Sequence, residues 1–342
     1  MGWSQRLQRA WYRADGKDWL SLALLDVSWV YGAIVRLRKK LYASGVLHST
    51  RVSVPVMVVG NVIAGGAGKT PVVIEIVRHL QQRGLQPGVV SRGYGRRSRE
   101  VVQVLDETPL QQSGDEPALI REATQAPVFV GADRAQAAQD LLAAHPQVNV
   151  IVCDDGLQHL ALQRDIEICV MDERGVGNGR LQPAGPLREP WPRLNENTPQ
   201  FLLHRGRFSE GFAIERQLAT HALKADGSIV SLKDLSGQAL IALAGIAQPE
   251  SFFQMLRDHG VSLQETITLP DHYDFDSNPR KFHAGEVLIC TEKDVKKLRQ
   301  AHWAQGLEIL SVPLLVTLPE AFYSGLDSAL NEKLSSALAP TA

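Results

Sequence analysis

Short apolar runs alternate with amphipathic segments along most of the sequence. Residues 52–59, 148–153 and 166–171 are apolar runs rich in Val and Ile, which is typical of strands buried on both faces. Amphipathic stretches such as residues 133–144 separate these runs and predict helices. Strands that alternate with helices predict a parallel sheet covered on both faces, and sites in such sheets lie beyond the carboxyl ends of the strands.

The periodicity weakens near the middle of the chain and then restarts. Residues 206–235 are polar and predict a linker between a first domain, residues 46–205, and a smaller second domain, residues 236–342. In the second domain two apolar runs, each followed by an amphipathic segment, predict another α/β unit. A chain of 342 residues is long enough for two such hydrophobic cores.

Composition and charge set one end of the chain apart. The sequence is 44% hydrophobic with a formal net charge of −1, which is ordinary for a folded enzyme and argues against nucleic acid as a partner. Residues 1–51, however, contain nine basic and three acidic residues, a net charge of +6 against −7 for the remainder. A basic front end on an acidic body predicts an anionic surface as a partner.

Cysteine usage points to the compartment. Cys153, Cys169 and Cys290 each lie in an apolar, strand-like run, and their spacing does not match that of metal ligands. An odd number of cysteines in such runs predicts buried thiols in a reducing compartment.

Residues 1–45 predict a basic, apolar N-terminal helix that associates with a membrane. The stretch from 19 to 41 is mostly apolar but carries Asp26 near its middle, where a lipid-spanning helix seldom has an acidic residue. The pattern therefore favours an interfacial helix whose basic cluster at 36–40 lies near headgroups. The side chains that would enter the lipid are Trp19, Leu22, Trp29 and Ile34. A helix packed on the protein's own core is the alternative.

The most informative motif is the glycine-rich segment 60–71, Gly-Asn-Val-Ile-Ala-Gly-Gly-Ala-Gly-Lys-Thr-Pro. It follows a predicted strand and precedes a predicted helix that continues to about residue 80. This is the P-loop arrangement, in which loop N–H groups bind phosphate, Lys69 reaches the terminal phosphates and Thr70 can ligate magnesium. Ile63 departs from the strict spacing, which has glycine there. A glycine-rich turn without a ligand is the alternative.

The predicted fold is accordingly α/β. A P-loop NTPase-like parallel sheet is flanked by helices, and a second, smaller α/β domain and an N-terminal membrane-associated helix accompany it. The predicted nucleotide-binding residues are Asn61, Val62, Ile63, Ala64, Gly65, Gly66, Ala67, Gly68, Lys69 and Thr70.

Two acidic residues close the predicted strand 148–153. Asp154 or Asp155, at a strand tip beside a P-loop, can bind Mg²⁺ directly or through water, although Asp-Asp-Gly alone is also an ordinary turn. Gln158 and His159 follow closely and place polar groups beside such a metal. A hydrogen-bonded core histidine is an equally good interpretation of His159.

Several other polar motifs have an ordinary structural interpretation beside a functional one. Asp115 precedes Glu-Pro and is typical of a helix N-cap. His272 follows Asp271 in a polar loop, where it is either a base or merely exposed. Residues 291–294, Thr-Glu-Lys-Asp, are typical of a capping box. Three arginines are either surface residues or phosphate clamps: Arg92, Arg134 and Arg188.

These motifs closely resemble one family, the tetraacyldisaccharide 4′-kinases, which are membrane-associated lipid A kinases of Gram-negative bacteria. The resemblance extends from the front helix to about residue 298, with the motifs in family order, and the family's own loop shares the departure at Ile63. The segments that carry it are residues 60–71, 91–95, 114–117, 130–134, 154–159, 183–189, 245–247, 271–275 and 291–294.

The resemblance implies ATP-dependent phosphorylation of the 4′-hydroxyl of a tetraacyldisaccharide 1-phosphate, a lipid A disaccharide precursor, to form lipid IVA. It implies Asp115 as the catalytic base, oriented by His272, with Lys69 at the phosphates. The residues implied around Mg²⁺ are Thr70, Asp154, Asp155 and Glu189. The residues implied to line the site are Arg134, Gln158, His159 and Arg188, and Arg92 is a further candidate.

The resemblance also implies a location on the cytoplasmic face of the inner membrane and does not imply an oligomer. Two other functions remain open. A P-loop switch or assembly factor would hydrolyse nucleotide without a small acceptor, and its front helix would dock a protein partner. A soluble kinase of a small metabolite would have no purpose for a basic apolar helix.

Overall fold

The structure is a computed structural model, and it describes residues 3–13, 16–66, 68–96, 98–193, 198–206, 208–283 and 285–338. Within these ranges, an N-terminal group of three helices precedes two α/β bodies, each built around its own sheet. The N-terminal helices are α1 (Trp3–Trp11), α2 (Trp19–Ala23) and α3 (Leu25–Ala43).

The first body is built on an 8-stranded sheet of described residues. Its strands are β1 (Val56–Gly60), β2 (Pro87–Ser91), β3 (Val102–Val104), β4 (Val128–Val130), β5 (Val150–Asp154), β6 (Ile166–Met171), β7 (Gln200–His204) and β8 (Phe212–Ala213). Their spatial order is β3-β4-β2-β5-β1-β6-β7-β8, and all neighbours are parallel except β3 and β4. Its helices are α4 (Lys69–Gln82), α5 (Leu110–Ser113), α6 (Asp115–Thr124) and α7 (Arg134–Ala144).

The register of this sheet places the glycine loop beside the predicted acidic pair. Strand β1 lies between β5 and β6, with Val59 opposite Asp154 and Gly60 opposite Cys169. Helices α4 and α6 cover one face of the sheet, and α7 covers the other. The predicted doubly covered parallel sheet is confirmed, although β1 begins at Val56 rather than at residue 52.

The second body surrounds a 6-stranded sheet in the described part of the chain. Its strands are β10 (His221–Leu223), β11 (Ile229–Ser231), β12 (Leu240–Ala244), β13 (Leu263–Thr268), β14 (Val287–Thr291) and β15 (Glu308–Val312), in the order β11-β10-β15-β14-β12-β13. Its helices are α8 (Pro249–Asp258) and α9 (Glu292–Gln300), with 3₁₀ turns at Leu232–Leu235 and His302–Ala304. Buried residues of β12 pack on both faces of the sheet.

The segment predicted as a linker contains short strands that join the bodies. Strand β9 (Glu215–Leu218) pairs in antiparallel fashion with β16 (Leu314–Thr317), and β8, β10 and β11 lie in the two larger sheets. Its polar composition concealed single buried apolar residues, Ile214 and Leu218. After β16, helix α10 (Glu320–Leu338) returns to the first body, where Phe322 and Leu326 are buried in the same core as Val59.

The predicted helix over residues 19–41 is two helices that meet at Leu24. Ser28 and Gly32 of α3 are buried, and a Cβ at Gly32 would lie 2.8 Å from the Leu181 side chain. The opposite side of α3 carries an exposed row at helical spacing, which we term the apolar stripe: Val27, Val30, Ile34 and Leu37, each more than 50% exposed. None of the described helices is both long enough and apolar enough to span a membrane.

Candidate active site

The glycine loop leaves β1 at Gly60 and enters α4 at Lys69. Gly65 and Gly68 have φ angles of 96° and 68°, a left-handed region that favours glycine. Ile63 does not need to be glycine, because it is buried and its backbone bridges to Leu187. The predicted position Ala67 lies outside the described residues, and the N-terminus of α4 directs its N–H groups into the loop.

Asp155 lies between two cations at the edge of the sheet. Its Oδ1 is 3.4 Å from Lys69 Nζ and 3.4 Å from Arg188 Nη1. Burial opposes ionisation, but Lys69 and Arg188 lower the pKa of Asp155 below its usual value. Its φ of 49° is rare for a residue with a side chain, and such backbone strain clusters at functional sites. The predicted acid, lysine and arginine therefore lie together.

Asp154 is almost fully buried next to the loop. Ser91 Oγ donates a hydrogen bond to its Oδ2 at 3.1 Å, whereas Oδ1 has no hydrogen-bond partner among the described residues. Burial and the nearby Glu116 raise the pKa of Asp154. An unpartnered buried carboxylate oxygen at the end of β5, beside the strand that leads into the glycine loop, fits a magnesium ion, which prefers oxygen ligands and retains several waters. No group of three or more His, Cys, Asp or Glu side chains in the described residues is arranged to hold a metal.

Glu189 differs in its surroundings from what its implied role leads one to expect. Its Oε2 is 2.5 Å from Lys39 Nζ and 3.2 Å from Arg193 Nε. Gln158 Nε2 donates to its Oε1 at 2.8 Å and also to Asn61 O at 3.0 Å. Burial is outweighed by Arg193 and Lys39, which lower the pKa of Glu189. A magnesium role for Glu189 stays a prediction, and Lys39 of the predicted basic cluster pairs with this carboxylate.

The remaining predicted side chains differ in burial. Arg134 is buried and donates to Ala132 O at 3.0 Å, and its backbone N–H donates to His159 Nε2 at 3.3 Å. Burial and Arg134 lower the pKa of His159 to about 4, so this ring is neutral at physiological pH. Arg92 is exposed at the end of β2. Their roles in binding substrate stay predictions.

Asp115 and His272 meet across the two bodies. Asp115 begins α6, and the N-cap is Gly114, with φ 82° and ψ 158°. This backbone conformation is nearly specific to glycine, so the interpretation of Asp115 as the cap was wrong. His272 Nδ1 lies 3.3 Å from Asp115 Oδ2, and the Tyr94 ring lies 4.9 Å from the His272 ring. Lys297 Nζ lies 2.5 Å from the same Asp115 oxygen. Burial opposes ionisation, but His272 and Lys297 lower the pKa of Asp115.

Sequence reasoning missed several charged residues here. Thr291 does cap α9, as predicted, but Lys293 and Lys297 of that helix face the first body. Their spacing of four residues places them on one helical face, which was the available signal. Arg174 Nη2 and Arg216 Nη2 donate to loop carbonyls, Gly66 O at 3.0 Å and Gly68 O at 2.7 Å. No local motif marks these two arginines.

Two cavities meet between the bodies. The first, of about 180 Å³, runs from Lys69 and Thr70 to an apolar wall of the second body. That wall is formed by Leu218, Ile246, Phe252, Met255 and Leu314. The second cavity, of about 400 Å³, has mostly polar walls that include Asp115, His272, Gln300 and His302. The first cavity is lined by Glu116 and Asp271. Their chain neighbours, Asp115 and His272, line the second cavity, so the two cavities adjoin at residues 115–116 and 271–272.

Segment 174–189 supports the glycine loop. Arg188 N donates to Val62 O at 2.7 Å, and Ala64 N donates to Pro186 O at 2.8 Å. At the other end of the segment, Arg174 binds Gly66 O and pairs with Asp172. The loop therefore has contacts with this segment along most of its described length.

The N-terminal helices bind the same segment. Ser28 Oγ donates to Leu181 O at 2.8 Å, and Tyr31 OH donates to Arg188 O at 2.8 Å. Closer to the start of the chain, Trp11 Nε1 donates to Pro183 O at 2.8 Å, and the Arg174 guanidinium lies 5.1 Å from the Tyr12 ring centre. Segment 174–189 thus lies between the N-terminal helices and the glycine loop.

The strand, glycine loop and Lys-Thr helix on a parallel sheet define an α/β protein of the P-loop class. The sequence profile of the LpxK family, described as tetraacyldisaccharide-1-P 4′-kinase, matches residues 20–331. The chain belongs to this family, as its motifs had predicted.

Individual relatives agree with the profile. A tetraacyldisaccharide 4′-kinase of Polaromonas sp. (strain JS666 / ATCC BAA-500) is 54% identical over 321 residues, covering 93% of this chain and 95% of the relative. One of Polaromonas naphthalenivorans (strain CJ2) is 54% identical over 333 residues, covering 97% and 96%. A crystal structure described as the "apo" form of LpxK from Aquifex aeolicus in complex with ATP is similar, with a TM-score of 0.77 and 27% identity, covering 92% of this chain and 99% of that one.

Proposed function

We propose that this protein transfers the γ-phosphoryl group of ATP to the 4′-hydroxyl of a tetraacyldisaccharide 1-phosphate, a step of lipid A biosynthesis. Membership of the tetraacyldisaccharide-1-P 4′-kinase family supports this activity. The observation that carries the mechanism is the meeting of the two cavities at Asp115 and His272. A nucleotide in the first cavity and a sugar in the second bring donor and acceptor together at a carboxylate.

The first cavity suits a nucleotide in both shape and chemistry. Its charged end has the loop N–H groups and Lys69 for phosphates, and its apolar wall suits a flat base. Because phosphoryl transfer passes through a loose transition state, most of the acceleration comes from positioning and charge neutralisation. Magnesium, when bound by Asp154 and Thr70, supplies further neutralisation of phosphate charge.

Asp115 serves as the general base for the sugar hydroxyl. Its carboxylate is ionised because His272 and Lys297 lower its pKa, so it is ready to accept a proton at neutral pH. The hydrogen bond from His272 fixes which oxygen faces the acceptor. His272 has a φ of 62°, a strained backbone conformation of the kind that clusters at functional sites.

The acceptor carries acyl chains that stay in the bilayer, so the enzyme meets it at the cytoplasmic face of the inner membrane. The apolar stripe of α3 and the exposed Trp19 and Trp29 suit insertion at the lipid boundary. The charge of +6 over residues 1–51 suits anionic headgroups.

ATP turnover by the purified full chain in detergent, with and without the lipid disaccharide acceptor, tests the proposal. We expect Mg²⁺-dependent turnover that requires the acceptor and yields a 4′-phosphorylated lipid. A rate of ATP hydrolysis that is the same with and without the acceptor would instead support a switch or assembly factor. Phosphorylation of a soluble sugar in preference to the lipid would support a metabolite kinase.

A further inference from the structure

Arg216 lies on β9, which pairs with β16 to form a two-stranded ribbon between the two bodies, and no motif predicted a role for it. Alternate residues of a strand share a face, so Arg216 and Leu218 point the same way. Both line the cavity that starts at Lys69, and Leu218 also belongs to the core of the second body. Strand β9 therefore places the Arg216 cation and the apolar Leu218 side by side along the wall of one cavity.

The guanidinium group is seated directly on the glycine loop. Its Nη2 donates to Gly68 O at 2.7 Å, the carbonyl that precedes Lys69. A Cβ at Gly68 would lie 1.7 Å from this Nη2, and the φ of Gly68 is 68°. Residue 68 is therefore glycine both for its backbone and for the space that Arg216 occupies.

Arg216 lies near two other cations, Lys69 and Arg205, and its electrostatic surroundings also include Glu173 and Asp172. Lys69 and Arg205 line the same cavity. Burial and Arg205 together lower the pKa of Arg216 to about 10. Like charges in a buried place repel one another, and a polyanion offsets this repulsion when it binds. A guanidinium group has five N–H donors in a planar fork, so it can bind a backbone carbonyl and a phosphate oxygen together.

We propose that Arg216 contacts the α-phosphate of the bound nucleotide, the phosphate adjoining the nucleoside, while Lys69 serves the terminal phosphates. The position of Arg216 between Gly68 and the apolar wall at Leu218 leads to this division. The inference rests on the proposed function, because it requires the nucleoside to lie against that wall.

The test is the affinity of the full chain in detergent for ADP and for ATP, measured by calorimetry without acceptor. We expect Arg216→Gln to weaken both nucleotides by a similar factor, about 10- to 100-fold, because a charge-assisted hydrogen bond to phosphate is lost. Arg216→Lys should recover part of this affinity and retain its salt dependence, since the charge remains. Arg83→Gln, at the far end of α4 where Arg83 pairs with Asp327, is the matched control and should bind like wild type.

The alternative, that Arg216 only supports the loop, makes different predictions. Unchanged ADP affinity in a folded Arg216→Gln variant, with a lower melting temperature in the absence of nucleotide, would overturn the inference. A weaker affinity for ATP with an unchanged affinity for ADP would also overturn the inference, because the contact would then be to the terminal phosphate. A wild-type protein that binds no ADP would overturn the proposed function itself, which distinguishes the two failures.

Discussion

Lys297 of the second body and Asp115 of the first are joined by a salt bridge, with Lys297 Nζ 2.5 Å from Asp115 Oδ2. The same lysine donates to Tyr273 O at 2.9 Å, so it also fixes the loop that carries His272. Both groups are largely buried, which strengthens their electrostatic interaction. The ionisation of the candidate base therefore depends on the packing of one body against the other.

Replacing Asp115 should separate catalysis from nucleotide binding. We expect Asp115→Ala to lower kcat by about 10²- to 10⁴-fold, the usual contribution of a general base, with little change in ATP affinity. Turnover with intact lipid acceptor and ATP binding by calorimetry are the two measurements. Wild-type turnover in this variant would show that Asp115 is not the base.

Removing Lys297 should shift the pH dependence of the reaction. The base must be ionised, so kcat/KM falls as the pH drops through the pKa of Asp115. Lys297 and His272 hold this pKa down against burial, and Lys297→Met should therefore raise it. The acid limb of the pH profile should move to higher pH.

Lys296→Met is the matched control for Lys297→Met. Lys296 also bridges the bodies, to Glu122 at 2.8 Å, but it does not touch Asp115. Its variant should retain the wild-type acid limb. Equal shifts in both variants would mean that the effect comes from the packing of the bodies and not from the charge on Asp115.

The two candidate magnesium carboxylates should respond unequally to amidation. Asp154→Asn should raise the Mg²⁺ concentration for half-maximal activity several-fold, because it alters a carboxylate with an unpartnered buried oxygen among the described residues. Glu189→Gln should change this requirement less, since Lys39, Arg193 and Gln158 already occupy the Glu189 oxygens. Magnesium titrations of turnover for both variants check this order, and the reverse order would assign the ion to Glu189.

The apolar stripe of α3 should carry binding to vesicles. A variant with Val30→Asp and Ile34→Asp should release the protein from vesicles of anionic phospholipid while it remains folded, because both side chains are exposed. Ile229→Asp is the control, since Ile229 is 68% exposed but lies on β11 of the second body. Sedimentation with vesicles and circular dichroism are the measurements. Equal loss in the control would point to nonspecific hydrophobic adhesion.

The last helix should prove essential to the first body. Phe322 is fully buried, and its ring lies edge-on to Phe201 at a centroid distance of 5.6 Å. Phe322→Ala should therefore lower the free energy of unfolding by about 3–5 kcal/mol. Tyr323→Phe, one residue along the same helix, removes only a hydroxyl and should cost much less. Denaturant unfolding followed by fluorescence compares the two variants.

Local sequence patterns predicted the parts of the site whose functional residues lie within a single strand, loop or helix start. The glycine loop, Lys69 and Asp154 adjoin because a strand and its neighbour end at the same edge, which hydrophobic runs reveal. Ile63 departs from the strict motif, and its burial together with the bridge to Leu187 explains why glycine is not needed there. The alternative interpretation of Asp115 as a cap fails because the cap is Gly114, whose conformation cannot be read from composition.

Contacts made across the bodies could not be predicted in this way. Lys297 meets Asp115, and Arg216 meets Gly68, only after two sheets and a ribbon have assembled. The ribbon itself was hidden, since short strands with single buried residues have too little periodicity to stand out from a polar linker. The resemblance to a family supplied Asp115 and His272 as a pair, which spacing alone would not have done.

Segment 174–189 connects the N-terminal helices to the glycine loop. Arg188 makes both contacts, because its carbonyl accepts a hydrogen bond from Tyr31 and its backbone N–H donates one to Val62. If the first helices contact a surface, this connection would hold the glycine loop at a fixed distance from that surface.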